Sequence, residues 1–278
     1  MFKTNDININ GSIGYTLLEN DKNKVLILSD MHSELPYCEK NGIFVSDWMK
    51  SKTKSKILLE EVPRSESTLK ELWPSSPHTQ KLKELYLSNS IVINGVDIRP
   101  FLIPYSWELI NESNIKIPIY NLRKYMEFID NFFQIKHDYM KKELKNVYTK
   151  KYLYKSKLGD HFTDIKKNVL EYIRSNKDLL NTPISKIDRN ILEKINIIIS
   201  NIMEWYIIAK IYEQDNNNFV VHAGLLHTSN LNNLLIKKYD YKLINFDGII
   251  DIKDGDKKSN GCLKLPFNIN NQFGGLMR

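Results

Sequence analysis

The chain has 278 residues and a formal charge of +7, with 42% apolar side chains. That is enough apolar material for one large domain with a sizeable core, or one with a substantial insertion. No apolar run approaches the length that spans a bilayer, and the first residues, Met1-Phe2-Lys3-Thr4-Asn5-Asp6, lack the apolar stretch of a secretion signal, so a cytoplasmic protein is expected. The lysines are spread along the chain with a denser set over 136–157, beside many Asn and Ile residues. That pattern reads as the bias of an AT-rich coding sequence before it reads as a nucleic-acid or phosphate signal. Cys38 and Cys262 lie far apart, with no second Cys or His at metal-finger spacing. They are expected to be free thiols in a reducing compartment.

Taken in chain order, Ile7-Asn8-Ile9 and Ile13-Gly14-Tyr15-Thr16-Leu17 flank Asn10-Gly11, a hairpin signal. Four apolar runs of strand length follow: Lys24 to Ser29, Lys56 to Glu60, Ser90 to Gly95 and Asn218 to Ala223. None alternates cleanly, which suits strands covered on both faces. Phe44 to Met49 and Thr79 to Leu87 suit crossover helices. The fold class expected is therefore α/β, a mainly parallel central sheet with flanking helices. Leu122, Tyr125, Met126 and Ile129, and later Leu192, Ile195, Ile199 and Ile202, recur at helical spacing. Residues 121–212 then form a largely helical insertion or cap within one domain, 1–278.

In parallel α/β sheets, sites form at the carboxyl ends of strands. Polar groups follow the runs there: Asp30, His32 and Glu34; Glu60, Glu61 and Arg64; Asp97 and Arg99; His222, Gly224 and His227. His222 is expected still in its strand, and Gly224 lets the backbone turn. His227 falls near the start of a helix beginning around Thr228-Ser229-Asn230, whose dipole disfavours the imidazolium form. Taken alone, His222 suits a hydrogen-bonded core histidine; the pair around a glycine favours function. A carboxylate beside His32 can fix its tautomer. Glu60, if buried, must be paired or ligated, and an ion pair with Arg64 or Arg99 is the structural alternative. Asp97 and Arg99 share a face, where Arg99 can bind an anion or stabilise an oxyanion, or simply pair internally. His78, His137 and His161 sit in polar contexts and read as surface residues. There is no phosphate loop, dinucleotide fingerprint, Gly-x-Ser-x-Gly elbow or zincin motif.

The histidine turn after a strand, the strand ending in Glu60, the segment Gly95-Val96-Asp97 and the late Gly224-Leu225-Leu226-His227 together resemble the erythromycin esterase, Tiki, TraB/PrgY and ChaN superfamily. The helix Met203-Glu204-Trp205-Tyr206-Ile207-Ile208-Ala209-Lys210 is similar to one that reads Met-Asp-x-Tyr-x-x-Ala-Arg in some members. This chain departs from the pattern at Ser29, where Tiki-type members carry glycine, and at Glu204 and Lys210. The resemblance implies hydrolysis of an ester or amide in a small-molecule or peptide substrate. His32, Glu60, His227 and Arg99 would be catalytic, and Arg64, Asp97, His222 and Lys210 would bind substrate. Some members need a divalent metal and others use a histidine base without one. Mn, Co or Zn held by His32, Glu60 and His227 is the metal form of this expectation. The rival readings are a non-catalytic ligand-binding relative and a basic nucleic-acid or phosphate-ligand binder.

Overall fold

The computed structural model describes residues 6–33, 35–52, 54–60, 76–88, 93–99, 121–133, 157–213, 217–254 and 260–273. Arg64, Glu61, Glu34, His137 and the lysine-rich 136–156 lie outside them. The chain divides into two compact units: Met1–Pro63, Trp73–Asp97 and Gln214–Arg278 form the first, Arg64–Leu72 and Ile98–Glu213 the second. No helix among the described residues is long and apolar enough to cross a membrane.

The first unit is an α/β fold. Its strands are β1 (Ile7–Asn10), β2 (Gly14–Glu19), β3 (Lys24–Asp30), β4 (Ile43–Phe44), β5 (Ser55–Leu59), β6 (Ile93–Gly95), β7 (Asn218–Gly224), β8 (Lys242–Gly248) and β9 (Cys262–Leu265). Its helices, numbered with those of the second unit, are α1 (Val45–Lys50), α2 (Pro77–Leu87), α6 (Leu225–Lys238) and α7 (Phe267–Phe273). A six-stranded sheet runs β6-β5-β7-β3-β2-β8. Its first four strands are parallel, as their unbroken apolar runs predict, while β2 runs antiparallel to both of its neighbours, β3 and β8. The carboxyl ends of β3, β5, β6 and β7 therefore share one edge.

One expectation about pairing is corrected. β1 does not form a hairpin with β2; it lies in a separate sheet of order β4-β1-β9. Gly11 takes φ +95° and its N–H donates to the Gly261 carbonyl, so the glycine redirects the chain between sheets. The real hairpin joins β2 to β3. There the Asn20 side chain accepts from the Lys22 and Asn23 N–H groups at 3.0 and 2.8 Å, an Asx turn.

The cysteines are the second correction: Cys38 and Cys262 are disulfide-bonded across 224 positions of sequence. Spacing rules detect only neighbours, whereas this pair is assembled by β1. Cys262 stands opposite Asn10 in the β1–β9 ladder, and the Asn10 side chain accepts from the Cys38 N–H at 2.8 Å.

One sheet face, with Tyr15, Leu17, Leu26, Leu28, Ile57, Leu59 and Val220, packs against Trp48 and Met49 of α1, Leu82 and Leu85 of α2, and Ile269 and Phe273 of α7. Helix α6 packs against β3 and β7. β8 is an edge strand with Leu243, Ile244 and Phe246 exposed. A register shift opposite Leu17 and Leu18 breaks its ladder, a device that discourages further pairing at a sheet edge.

Lys52 is a buried cation in this unit. Its Nζ donates to Asn270 Oδ1 at 2.6 Å and lies 4.7 Å from the Trp48 ring centre. No carboxylate compensates it in these contacts, and burial pushes its pKa from about 10.5 down to about 8. Between those values the unfolded chain holds more protons than the folded one, so this group adds stability as pH rises from about 8 to about 10.5. Urea unfolding of wild type beside Lys52→Met is expected to show wild type gaining on the variant across that window. Parallel profiles would contradict it.

The second unit contains α3 (Leu122–Phe133), α4 (Lys157–Ser175) and α5 (Arg189–Tyr212). The helical periodicity holds: Leu122, Tyr125, Ile129, Leu192, Ile195, Ile199 and Ile202 are buried. His161 in α4, expected at the surface, is buried too, on the same helical face as Leu158, Phe162 and Ile165.

Candidate active site

β3 ends on Asp30, and two residues later His32 takes φ +55°. A side chain in this left-handed region costs roughly 1–2 kcal/mol relative to ordinary backbone, and such strain collects at functional sites. The His32 ring lies between two carboxylates. Nδ1 lies 3.2 Å from Asp30 Oδ2 and Nε2 lies 3.3 Å from Glu60 Oε2.

Glu60 follows β5 directly and is buried. Its Oε2 accepts the Gly224 N–H at 2.7 Å, and its Oε1 lies 3.7 Å from His227 Nε2. The carboxylate thus joins the ends of three strands. Of the arginines offered as its partners, Arg99 is assigned to the second unit and Arg64 lies outside the described residues. A Cβ on Gly224 would sit 2.5 Å from His32 Nε2, so the glycine of Gly224-Leu225-Leu226-His227 makes room for the His32 ring.

His227 is the third residue of α6, which starts at Leu225. The helix begins earlier than Thr228-Ser229-Asn230, so those residues do not cap it. Thr228 instead bonds back to the Leu225 carbonyl and pairs with Ser29 at 2.9 Å. Ser29, the departure from glycine, is therefore occupied on the α6 side of β3.

Asp30 points to the opposite face and is wholly buried. Burial opposes its ionisation, yet hydrogen bonds from His32 and His78 outweigh that and hold its carboxyl well below the usual carboxylate range. His78, expected at the surface, is also wholly buried in the first turn of α2. Its Nε2 contacts both Asp30 oxygens at 3.0 and 3.1 Å, and its Nδ1 faces Tyr37 Oη at 3.1 Å and Ser76 Oγ at 3.0 Å. The sequence held a signal for this. Ser76-Pro77 is an N-cap followed by Pro at the first helical position, which puts His78 at the start of a crossover helix beside the carboxyl ends of the strands.

His222 lies within β7, as expected, and is wholly buried. Its Nε2 donates to the Gly11 carbonyl at 3.3 Å. Burial pushes its pKa down, against the pull of Asp30, so the ring is neutral near pH 7. Its carbonyl accepts the Glu60 N–H. The side chain underlies the cluster and is not exposed to a ligand. Asp97 is buried just past β6, where the neighbouring Val96 N–H extends the ladder to the Leu59 carbonyl. Lys210 belongs to the second unit, 3.6 Å from Glu213 and over the Tyr206 ring.

The core of the site is thus Asp30, His32, Glu60 and His227, with His78 and His222 beneath. A ring between two carboxylates is well placed to take up and hand on a proton. As a metal centre the fit is weaker. Among the described residues no group of three His, Cys, Asp or Glu side chains converges as ligands of one ion. His32 Nε2 faces Glu60, and Glu60 Oε2 is already bound by Gly224. Comparison with protein-family models, curated proteins and solved structures gives no match to this chain.

Proposed function

We propose that this cluster is a hydrolytic site acting on an ester or amide bond. The observation that carries the reading is His32: a strained backbone holding an imidazole between two buried carboxylates, at the shared edge of parallel strands. Asp30 fixes the ring. His32 and Glu60 share the proton withdrawn from an attacking water, and His227, on the other oxygen of Glu60, delivers a proton to the leaving group. The resemblance to erythromycin esterase and Tiki-type proteins supports His32, Glu60 and His227. Of its two forms, the metal-free histidine base agrees better with the donor directions.

The test is a panel of ester and peptide-amide substrates, run with and without chelator and after loading with Mn, Co or Zn. Turnover that survives chelation is expected. Turnover appearing only with metal would move the reading to a centre held by His32, Glu60 and His227. No turnover under any condition would leave a ligand-binding pocket. A cytoplasmic location, expected from the sequence, would expose the Cys38–Cys262 bond to a reducing thiol pool, so an oxidising setting suits this protein better.

A further inference from the structure

Residues 35–42, between the His32 turn and β4, belong to no helix or strand. They are tied down from one side. The Gly261 N–H donates to the Pro36 carbonyl at 2.8 Å, the Cys38 N–H donates to Asn10, and the disulfide joins Cys38 to Cys262. Packing around the bond is tight: a Cβ on Gly42 would lie 2.7 Å from Cys38 Cβ.

Tyr37, next to the disulfide, leads into the site. Its hydroxyl contacts His78 Nδ1 at 3.1 Å, and its ring meets the His78 ring edge-on. With Nε2–H donated to Asp30, Nδ1 of His78 is an acceptor and Tyr37 the donor; the tautomer follows from the network. The hydrogen bonds then run from Tyr37 through His78 to Asp30, whose Oδ2 lies 3.2 Å from His32 Nδ1. Both sulfurs belong to half-buried residues.

We propose that the Cys38–Cys262 disulfide is a redox control on the His32 site, transmitted through Tyr37, His78 and Asp30. A dithiol reductant supplies two electrons and two protons. The S–S bond breaks, Cys38 and Cys262 become thiols, and the reductant closes to its own disulfide. The freed segment then holds Tyr37 less firmly against His78. Tyr37 and His78 are positioning residues, since neither touches the reacting atoms. The activity readout rests on the hydrolytic reading; the structural readout does not.

The experiment uses the full chain with nitrogen-15 histidine, oxidised and after dithiothreitol, following the His78 and His32 ring nitrogens by NMR together with ester turnover. Reduction is expected to shift both rings and lower turnover roughly two- to tenfold, the effect of one lost hydrogen bond, with recovery on reoxidation. Tyr37→Phe, which leaves the disulfide intact, should reproduce the shift in oxidised protein and remove most of the response to reductant. Unmoved ring resonances on reduction would overturn the proposal. So would a Tyr37→Phe protein as reductant-sensitive as wild type, or global unfolding on reduction. Rings that respond while neither redox state turns over any ester or amide would uphold the coupling and sink the hydrolytic reading instead.

Discussion

His32→Asn is expected to lower ester turnover by roughly 10²- to 10⁴-fold, the range spanned by a general base, while the protein still unfolds cooperatively. Asparagine is the informative replacement because it tolerates the left-handed backbone that His32 adopts at φ +55°. The buried carboxylates are not stranded by the change. Asp30 keeps His78 and the Met31 N–H, and Glu60 keeps the Gly224 N–H and His227. The stability loss should therefore stay near the ~1–3 kcal/mol of a disturbed buried hydrogen bond. His32→Ala, which empties the ring's volume, adds a second readout: imidazole in the buffer should restore part of the rate. His227→Ala should cost less than either, because its ring meets Glu60 at the longer distance of 3.7 Å. Turnover of His32→Asn within tenfold of wild type would remove His32 from the chemistry.

What the sequence made legible follows a physical pattern. β3, β5 and β7 are read from their apolar runs because a strand buried on both faces leaves no polar alternation to confuse it. Glu60, His32 and His227 are read because polar groups directly after such strands must meet at one sheet edge. β8 is missed: its residues are exposed along their whole length and carry neither period. Asn10-Gly11 misleads because a turn signal says that the chain turns, not which strand it turns towards. The disulfide and the His78–Asp30 bond span 224 and 48 positions, and no local pattern encodes contacts made only by the assembled sheets. His78 in particular has polar neighbours in sequence, whereas its position at a helix start beside the sheet edge decides its burial.

The carboxylate beneath His32 governs the second large effect. Asp30→Ala would remove the buried carboxylate that faces His32 Nδ1 and His78 Nε2, and the expected loss is about 3–5 kcal/mol, that of breaking a buried pair. On a protein of ordinary stability, ~5–15 kcal/mol, that is a large fraction of the total. Asp30→Asn keeps the shape and separates packing from charge. The acid dependence of stability then identifies the charge term. Asp30 has a folded pKa depressed by His32 and His78, so its contribution is complete above the unfolded value of about 4 and is lost as pH falls below it. His222 has a folded pKa lowered by burial, so the unfolded ring takes up its proton first and stability starts to fall below about pH 6.5. Wild type should therefore weaken on acidification in two stages. In Asp30→Asn the lower stage should vanish. The upper one should deepen, because Asp30 is the group that opposes burial at His222 and its removal lets the folded ring resist protonation further. Urea unfolding free energies from pH 7.5 down to about 2 measure both stages. A variant whose profile merely parallels wild type would show that the buried carboxyl is not the anchor of this site.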